Sequence, residues 1–476
     1  MKDPITIPSE RPKDECGVFG LYRHPEAAKI TYFGLYALQH RGQESAGISV
    51  HREADGNIFS HKGMGLVPDI FKMEDLERME GGSAVGHVRY STTGDSVINN
   101  AQPFVVNHRN KSYALAHNGN LVNAHILRRE LEEQGSIFQT SMDSEVFLHM
   151  FIKSLSGGNF EQALIDAAAR IKGAYSMVLL TSRGEIVGIK DPNGFRPLAL
   201  GKLNGHYVLA SETCAFDLVG AEFIRELDPG EIVIINEDGI KSLRHPKAAP
   251  RHSMCIFEYI YFARPDSTID GSNVYQMRKA HGRRLAQEAP VKADLVMPFP
   301  DSGNYAAIGY AEESGIPFEM GMIRNHYVGR SFIQPTQSMR DFAVRVKLNP
   351  VKELIKGKDI IIIEDSIIRG TTAKTRVAAL RELGAKKVHM RISCPPHRFP
   401  CYYGIDFSSR GELIAARMDV KELTQHLGLD SLQYLSIEGM LEASGREKPE
   451  QHFCKACFDG DYPVPFDPNF TKKCMG

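Results

Sequence analysis

No stretch of this chain stays apolar long enough to cross a bilayer, and its first segment, MKDPITIPSERPKDE, has no hydrophobic core of a secretion signal. These absences exclude a helical membrane protein and predict a cytoplasmic one without a membrane partner. Charge of one sign is also scarce: 57 Lys and Arg face 58 Asp and Glu, a formal net charge of −1, and no run is strongly basic. Composition gives no footing for nucleic acid. Cysteine is sparse as well, and eight in 476 residues cannot form a disulfide scaffold, so in a reducing compartment they are candidates for metal binding or catalysis. Length is what the chain has, enough to predict two or more domains.

The most informative stretch is 359–372, DIIIIEDSIIRGTT. Its isoleucine run has the composition of a strand buried on both faces, as in a parallel sheet covered by helices. Glu364 and Asp365 fall where that strand should end, and Ser366, Arg369, Gly370, Thr371 and Thr372 form a polar turn before a helical pattern. A helix N-terminus offers unpaired N–H groups to a phosphate, Gly370 lets the backbone approach, and the hydroxyls add donors. The acids suit ribose hydroxyls or magnesium. A plain strand followed by an acidic turn is the alternative, which the flanking R-G-T-T disfavours.

In the first half, residues 1–15 are charged and contain proline, and they end at Cys16. Short apolar runs at 17–22, 84–88, 113–116, 175–180, 186–189, 207–210 and 232–235 predict strands, many separated by turns, hence an antiparallel sheet. Helical patterns at 27–38, 124–133, 144–155 and 160–171 would cover it, giving an α+β layered domain over 16–245. If the 1–15 prefix is a propeptide that is cut off, Cys16 gains a free α-amine, whose pKa of about 7.7–8.0 lets it take the thiol proton near neutrality. Arg89 at a strand end could grip a carboxylate bidentately. Asn118 and Gly119 offer the two donors of an oxyanion hole. Asp143 suits a substrate ammonium, with a helix N-cap as its structural alternative.

In the second half, LRHPKAAPRHSM at 243–254 marks the domain boundary, and 246–476 form the second domain. Strands at 295–297, 318–323, 360–363 and 388–392 alternate with helices ending near 312 and 383, the latter capped by Gly384. This βαβ rhythm predicts an α/β domain with a parallel sheet and ligands at the carboxyl ends of its strands. Residues 324–349 form a long Arg-rich segment with the length of a lid, from which Arg330, Arg345 and Lys347 could reach a pyrophosphate.

CGVFG, QHRGQESAG, GHVRYSTTG, AHNGNL and SMDSE resemble the class II glutamine amidotransferase domain, an N-terminal-nucleophile (αββα) glutaminase. The resemblance implies that Cys16 attacks a glutamine amide and that Asn118 and Gly119 hold the oxyanion. It further implies that Arg89 and Asp143 bind the α-carboxylate and α-ammonium. IIIIEDSIIRGTT resembles the phosphoribosyl pyrophosphate motif of type I phosphoribosyltransferases. With EYIYFARPDS, PDSGNYAAIGYAEESGIP, RNHYVGRSFIQP and YLSIEGM, the chain is similar to the glutamine phosphoribosylpyrophosphate amidotransferase family from Cys16 to about Tyr462.

That family implies purine nucleotide inhibitors, a homotetramer, and Ser302, Glu364 and Asp365 around Mg2+. Glu364 departs from the family's usual Asp. A non-catalytic sensor of phosphoribosyl pyrophosphate or nucleotides with a structural metal cluster is the alternative. The CxxC at Cys454 and Cys457 is a metal signal needing two more thiolates, and spacing leaves Cys255, Cys394, Cys401 and Cys474 as candidates, zinc and iron–sulfur both open. A redox CxxC is a further reading, without supporting helix context. Resemblance to the Bacillus-type subgroup implies a 4Fe-4S cluster on Cys255, Cys401, Cys454 and Cys457, with Cys214, Cys394 and Cys474 left as ordinary cysteines.

Overall fold

The computed structural model describes residues 16–90, 96–247, 252–325, 348–405, 409–445 and 453–466. Residues 1–15, the expected propeptide, and Arg330, Arg345, Lys347 and Cys474 lie outside the described residues. In the first half, alternation along each strand divides its side chains between two faces. Phe19 and Leu21 of Gly17–Leu21 pack under the helix Ala27–Ala37, whereas Val18 faces a second sheet and meets Ala116, Val178 and Leu180. The second sheet does the same: Leu179 and Val187 turn outward onto Val146, Phe147 and Leu164 of the helices Ser144–Leu155 and Phe160–Arg170. The result is a helix–sheet–sheet–helix stack, the αββα arrangement.

Both sheets are antiparallel. The first runs Glu222–Glu226, Ala199–Leu203, His206–Ala210, Gly17–Leu21, Ser83–Arg89, Ser45–His51, Ile58–Met64. The second runs Gly239–Arg244, Glu231–Asn236, Ile186–Lys190, Gly173–Thr181, Lys111–Leu121, Phe104–His108. The strand expected at 113–116 therefore extends to Leu121, and the oxyanion candidates lie within it.

The second half carries a four-stranded parallel sheet in the order Leu295–Pro298, Asp359–Glu364, Lys387–Ile392, Ser431–Tyr434. Ile360 to Ile363 are all 0% exposed, as a strand covered on both faces requires. Helices Val274–Glu288 and Asn304–Ser314 pack backbone to backbone: a Cβ on Gly282 would stand 2.0 Å from the Ala306 carbonyl, and one on Gly309 2.0 Å from that of Lys279. The strand expected at 318–323 is a correction. Only Phe318 bridges to Val296, and Met322–Arg324 pairs instead with Leu348–Pro350. Pro317 cannot donate to a ladder, which limits pairing there. Gly384 (φ +88°) follows the helix Thr371–Glu382 one residue past its cap, Leu383.

The halves share one interior. Val122, Ala174 and Phe195 of the first belong to the core of the second, and Phe195 stacks on Tyr403 with ring centroids 4.5 Å apart. Beside them lies a buried charge network. Arg41 Nη1 donates to Glu212 at 2.5 Å and its Nη2 to Glu258 at 2.8 Å, while Arg196 Nη1 stands 3.5 Å from Glu258, all four side chains being 0% exposed. Glu212 also accepts from Ser267 Oγ at 2.6 Å and the Arg264 amide at 2.9 Å.

Burial alone would raise the Glu212 carboxyl, but His40 and Arg41 against it hold it far below the usual range. A depressed acid contributes stability above its unfolded pKa of about 4.3 and loses it as pH falls toward the folded value. E212Q is expected to be less stable by about 3 kcal/mol above roughly pH 5, with the gap narrowing below about pH 4. Denaturant titrations of both proteins across pH test this.

Candidate active sites

Cys16 sits immediately before the central strand Gly17–Leu21 and is 6% exposed. Its Sγ donates to the Tyr90 carbonyl at 3.3 Å, and its own carbonyl accepts from Arg41 Nε at 3.0 Å. The neighbouring strand Ser83–Arg89 delivers Arg89 to its end, buried and 3.9 Å from Glu44. Asn118 and Gly119 come from the other sheet. A side chain joins the two strands: His87 Nε2 lies 3.0 Å from the His117 carbonyl. Burial pulls His87 down to about 3, so the ring is neutral at pH 7 and Nε2 carries the donated hydrogen.

Asn118 Nδ2 is buried and has no hydrogen-bond partner among the described residues. A buried donor left unpaired is costly unless a ligand completes it. Gly119 beside it has φ +144°, and a Cβ there would stand 2.0 Å from the Ala174 carbonyl. Asp143 precedes the helix Ser144–Leu155 yet makes no capping bond with its side chain. Its carboxylate accepts from the Leu121 amide at 2.8 Å and faces His117 Nδ1 at 3.5 Å. Burial would raise it, but His117 and the amides of Leu121 and Ser144 outweigh burial and keep the carboxyl below its ordinary range. An ionised carboxylate in a dry pocket is suited to an ammonium group.

In the second half, Glu364 and Asp365 end the isoleucine strand, 6% and 3% exposed. Ser302 Oγ, from the loop after the adjacent strand, donates to Glu364 at 3.3 Å, and Ser366 Oγ donates to Asp365 at 2.6 Å. Gly370 (φ +81°) starts the helix carrying Thr371 and Thr372, and Arg369 pairs with Glu412. Arg376, which sequence reasoning missed, returns from that helix to donate to Glu364 at 3.1 Å, its guanidinium 4.7 Å from the Phe299 ring centre. The signal was present as an arginine one turn into RGTTAKTR. His87 and His117 were also missed as site-building residues, although both stand inside the quoted motifs.

Cys255, Cys401, Cys454 and Cys457 line one small cavity together with Phe195 and Tyr403. Cys255 stands opposite Cys454 in the parallel pair Met254–Cys255 and Phe453–Cys454. The Tyr403 amide donates to Cys401 Sγ at 3.4 Å. Burial, reinforced by the other thiols, pushes Cys457 well above the usual thiol range. Cys394 instead turns to the Pro395 carbonyl at 3.2 Å, and Cys214 lies 3.8 Å from Glu212. Among the described residues, no three His, Cys, Asp or Glu side chains are disposed around a single ion.

The Gly119 geometry yields a direct test. G119A should lose about 1–3 kcal/mol, since alanine must both adopt a left-sided φ and displace the Ala174 carbonyl. Thermal unfolding measures the loss.

Residues 87–217 match the family model described as "Glutamine amidotransferase domain". The chain is 50% identical over 457 residues to the amidophosphoribosyltransferase of Bacillus subtilis, covering 95% of this chain and 94% of that one. It is 49% identical to amidophosphoribosyltransferase 1, chloroplastic, of Arabidopsis thaliana, covering 96% and 80%. Its fold superposes on the B. subtilis glutamine phosphoribosylpyrophosphate amidotransferase complexed with ADP and GMP with a TM-score of 0.90 at 48% identity, covering 97% and 100%. No helix among the described residues is long and apolar enough to cross a membrane. With the glutaminase layers, the parallel transferase sheet and relatives of this identity over nearly its full length, the chain belongs to the amidophosphoribosyltransferase family.

Proposed function

We propose that Cys16, Asn118 and Gly119 run the glutaminase half-reaction, and that the loop after Glu364 runs the phosphoribosyl half. As an amidophosphoribosyltransferase, the chain converts glutamine, phosphoribosyl pyrophosphate and water into 5-phosphoribosylamine, glutamate and pyrophosphate, the first committed step of de novo purine biosynthesis. The sensor alternative is not favoured. The observation that carries the site assignment is the unpartnered Asn118 Nδ2 beside Gly119, a buried donor suited to a transient oxyanion.

In this reading the Cys16 thiolate attacks the glutamine amide carbon, the C–N bond breaks, and ammonia leaves. Water then hydrolyses the glutamyl thioester to glutamate. The thiol's proton passes to the α-amine that removal of residues 1–15 would expose, and from that ammonium to the amide nitrogen as it departs as ammonia. Arg89 holds the substrate carboxylate and Asp143, kept ionised, its ammonium.

At the second centre Ser366, Gly370, Thr371 and Thr372 cradle the phosphate at a helix start, with Arg369 on the same loop; Arg330, Arg345 and Lys347, outside the described residues, stay in the proposal as pyrophosphate ligands on their sequence alone. Glu364, Asp365 and Ser302 would hold Mg2+, a two-carboxylate set of the kind magnesium uses when substrate oxygens complete its shell. When bound, it supplies charge neutralisation for departing pyrophosphate. Arg376 and Ser302 already engage Glu364, which leaves Asp365 as the freer acid for that role.

The four cysteines of the set implied by the Bacillus-type resemblance line one cavity, which supports a 4Fe-4S cluster held by Cys255, Cys401, Cys454 and Cys457. A 4Fe-4S cluster there would cross-link the C-terminal segment to the start of the transferase half. Nucleotide inhibition is carried over from the relative complexed with ADP and GMP. A homotetramer and a cytoplasmic location complete the proposal. Exposed Phe33, Tyr36, Leu218 and Phe223 are apolar side chains suited to subunit contacts.

Three measurements test these roles. D143N should raise the KM for glutamine about tenfold or more while leaving synthesis from ammonium chloride intact; equal loss of both would refute the ammonium role. Anaerobically purified protein should contain iron and sulfide in equal amounts, and zinc without iron would refute the cluster. Intact mass should place the mature N-terminus at Cys16.

A further inference from the structure

We infer that Glu258, a residue of the transferase half, is a positioning residue for the glutaminase nucleophile and acts through Arg41. The inference rests on the reading of Cys16 as nucleophile. Arg41 presents its Nε to the Cys16 carbonyl at 3.0 Å, and turns both terminal nitrogens to Glu258 at 3.0 and 2.8 Å. Glu212 takes Nη1 as well, at 2.5 Å. The plane of a buried guanidinium is therefore set by carboxylates on one edge, while its other edge holds the nucleophile's own backbone. A cysteine that begins a mature chain has no preceding peptide to fix it, and chain termini fray unless tied down. The Arg41 bond to its carbonyl supplies that tie.

Glu258 is itself held from the other half. It opens a single π-helical turn, Glu258–Phe262, a rare geometry that is frequent at functional sites. Arg278, buried on the helix Val274–Glu288, donates to the carbonyls of Tyr259 at 2.7 Å, Tyr261 at 2.9 Å and Ala263 at 2.8 Å. A continuous series of hydrogen bonds thus runs from Arg278 through the π-turn, Glu258 and Arg41 to Cys16. Replacing Glu258 by glutamine removes the charge and one of the two oxygens that hold the Arg41 terminal nitrogens, which loosens the orientation of the guanidinium against the Cys16 carbonyl.

The full-length protein and E258Q are compared in three assays: glutamine-dependent phosphoribosylamine synthesis, the same synthesis driven by ammonium chloride, and alkylation of Cys16 by iodoacetamide read by peptide mass. In E258Q the glutamine-dependent kcat should fall roughly tenfold to a hundredfold, the scale of one lost charged hydrogen bond. The KM for glutamine should change little, because Arg89 and Asp143 are untouched. Ammonia-driven synthesis should stay within about twofold, which a merely structural collapse would not allow. Alkylation should slow in parallel, and E258D should recover part of both losses. Equal falls in the glutamine-driven and ammonia-driven rates, or no fall in either, would overturn the inference. Should E258Q fail to fold, E258D decides: its shorter carboxylate should lower the glutamine-driven kcat and the alkylation rate more than ammonia-driven synthesis, and equal changes in both syntheses, or none in either, would overturn the inference. C16A separates the two ideas: retained glutamine-dependent synthesis in C16A sinks the nucleophile reading, whereas its loss in C16A but not in the Glu258 variants sinks only the inference.

Discussion

Two arginines and two glutamates, none exposed to water, fix how the halves of this molecule meet. Burying four charges is costly, and the cost is offset only while each guanidinium keeps its carboxylate in place. Separating the halves would strip Arg41 and Arg196 of Glu258 and also expose Val122, Ala174 and Phe195. The junction is therefore specified by direction as well as by area, since charged hydrogen bonds demand angles that apolar contact does not.

That constraint places the chemistry. Arg41 reaches the Cys16 carbonyl, and Arg196 Nη2 donates to the Tyr403 carbonyl at 2.7 Å, two residues beyond Cys401. Asn120, beside the oxyanion glycine, donates to the Tyr402 carbonyl at 2.7 Å, and a Cβ on Gly404 would lie 3.5 Å from Gly119. The cysteine cavity and the oxyanion strand are thus backed by the same stretch of chain, 401–404. Ammonia released at Cys16 would be protonated in bulk water, so an enzyme that uses it elsewhere needs an enclosed join. A rigid interior shared by both halves is what such a passage requires.

Much of this was legible in the sequence because the decisive elements are locally consistent. The isoleucine strand, its acids and the Gly370 helix start combine propensity, burial pattern and turn chemistry in one short stretch. Elsewhere local chemistry misled. Strand Ser45–His51, SAGISVH, is small and polar enough to read as loop, yet every residue is buried between neighbours. Asn118 and Gly119 have the composition of a turn and lie instead inside a long strand, where tertiary pairing overrides propensity. Glu258 could not be paired with Arg41 from sequence, because only the folded chain brings together residues 217 positions apart. An α+β layered domain and the parallel sheet followed from apolar runs, turns and βαβ rhythm, and the αββα form from the family resemblance, while the edge strands Glu222–Glu226 and Gly239–Arg244, half exposed, carried too little apolar signal.

If both chemistries run in one closed molecule, nitrogen passes directly between the two sites. Glutamine labelled with 15N at the amide, supplied with phosphoribosyl pyrophosphate and an excess of unlabelled ammonium at neutral pH, tests it most directly. The account predicts 5-phosphoribosylamine that carries the label nearly undiluted. Product whose isotope content matches the bulk ammonium would contradict it.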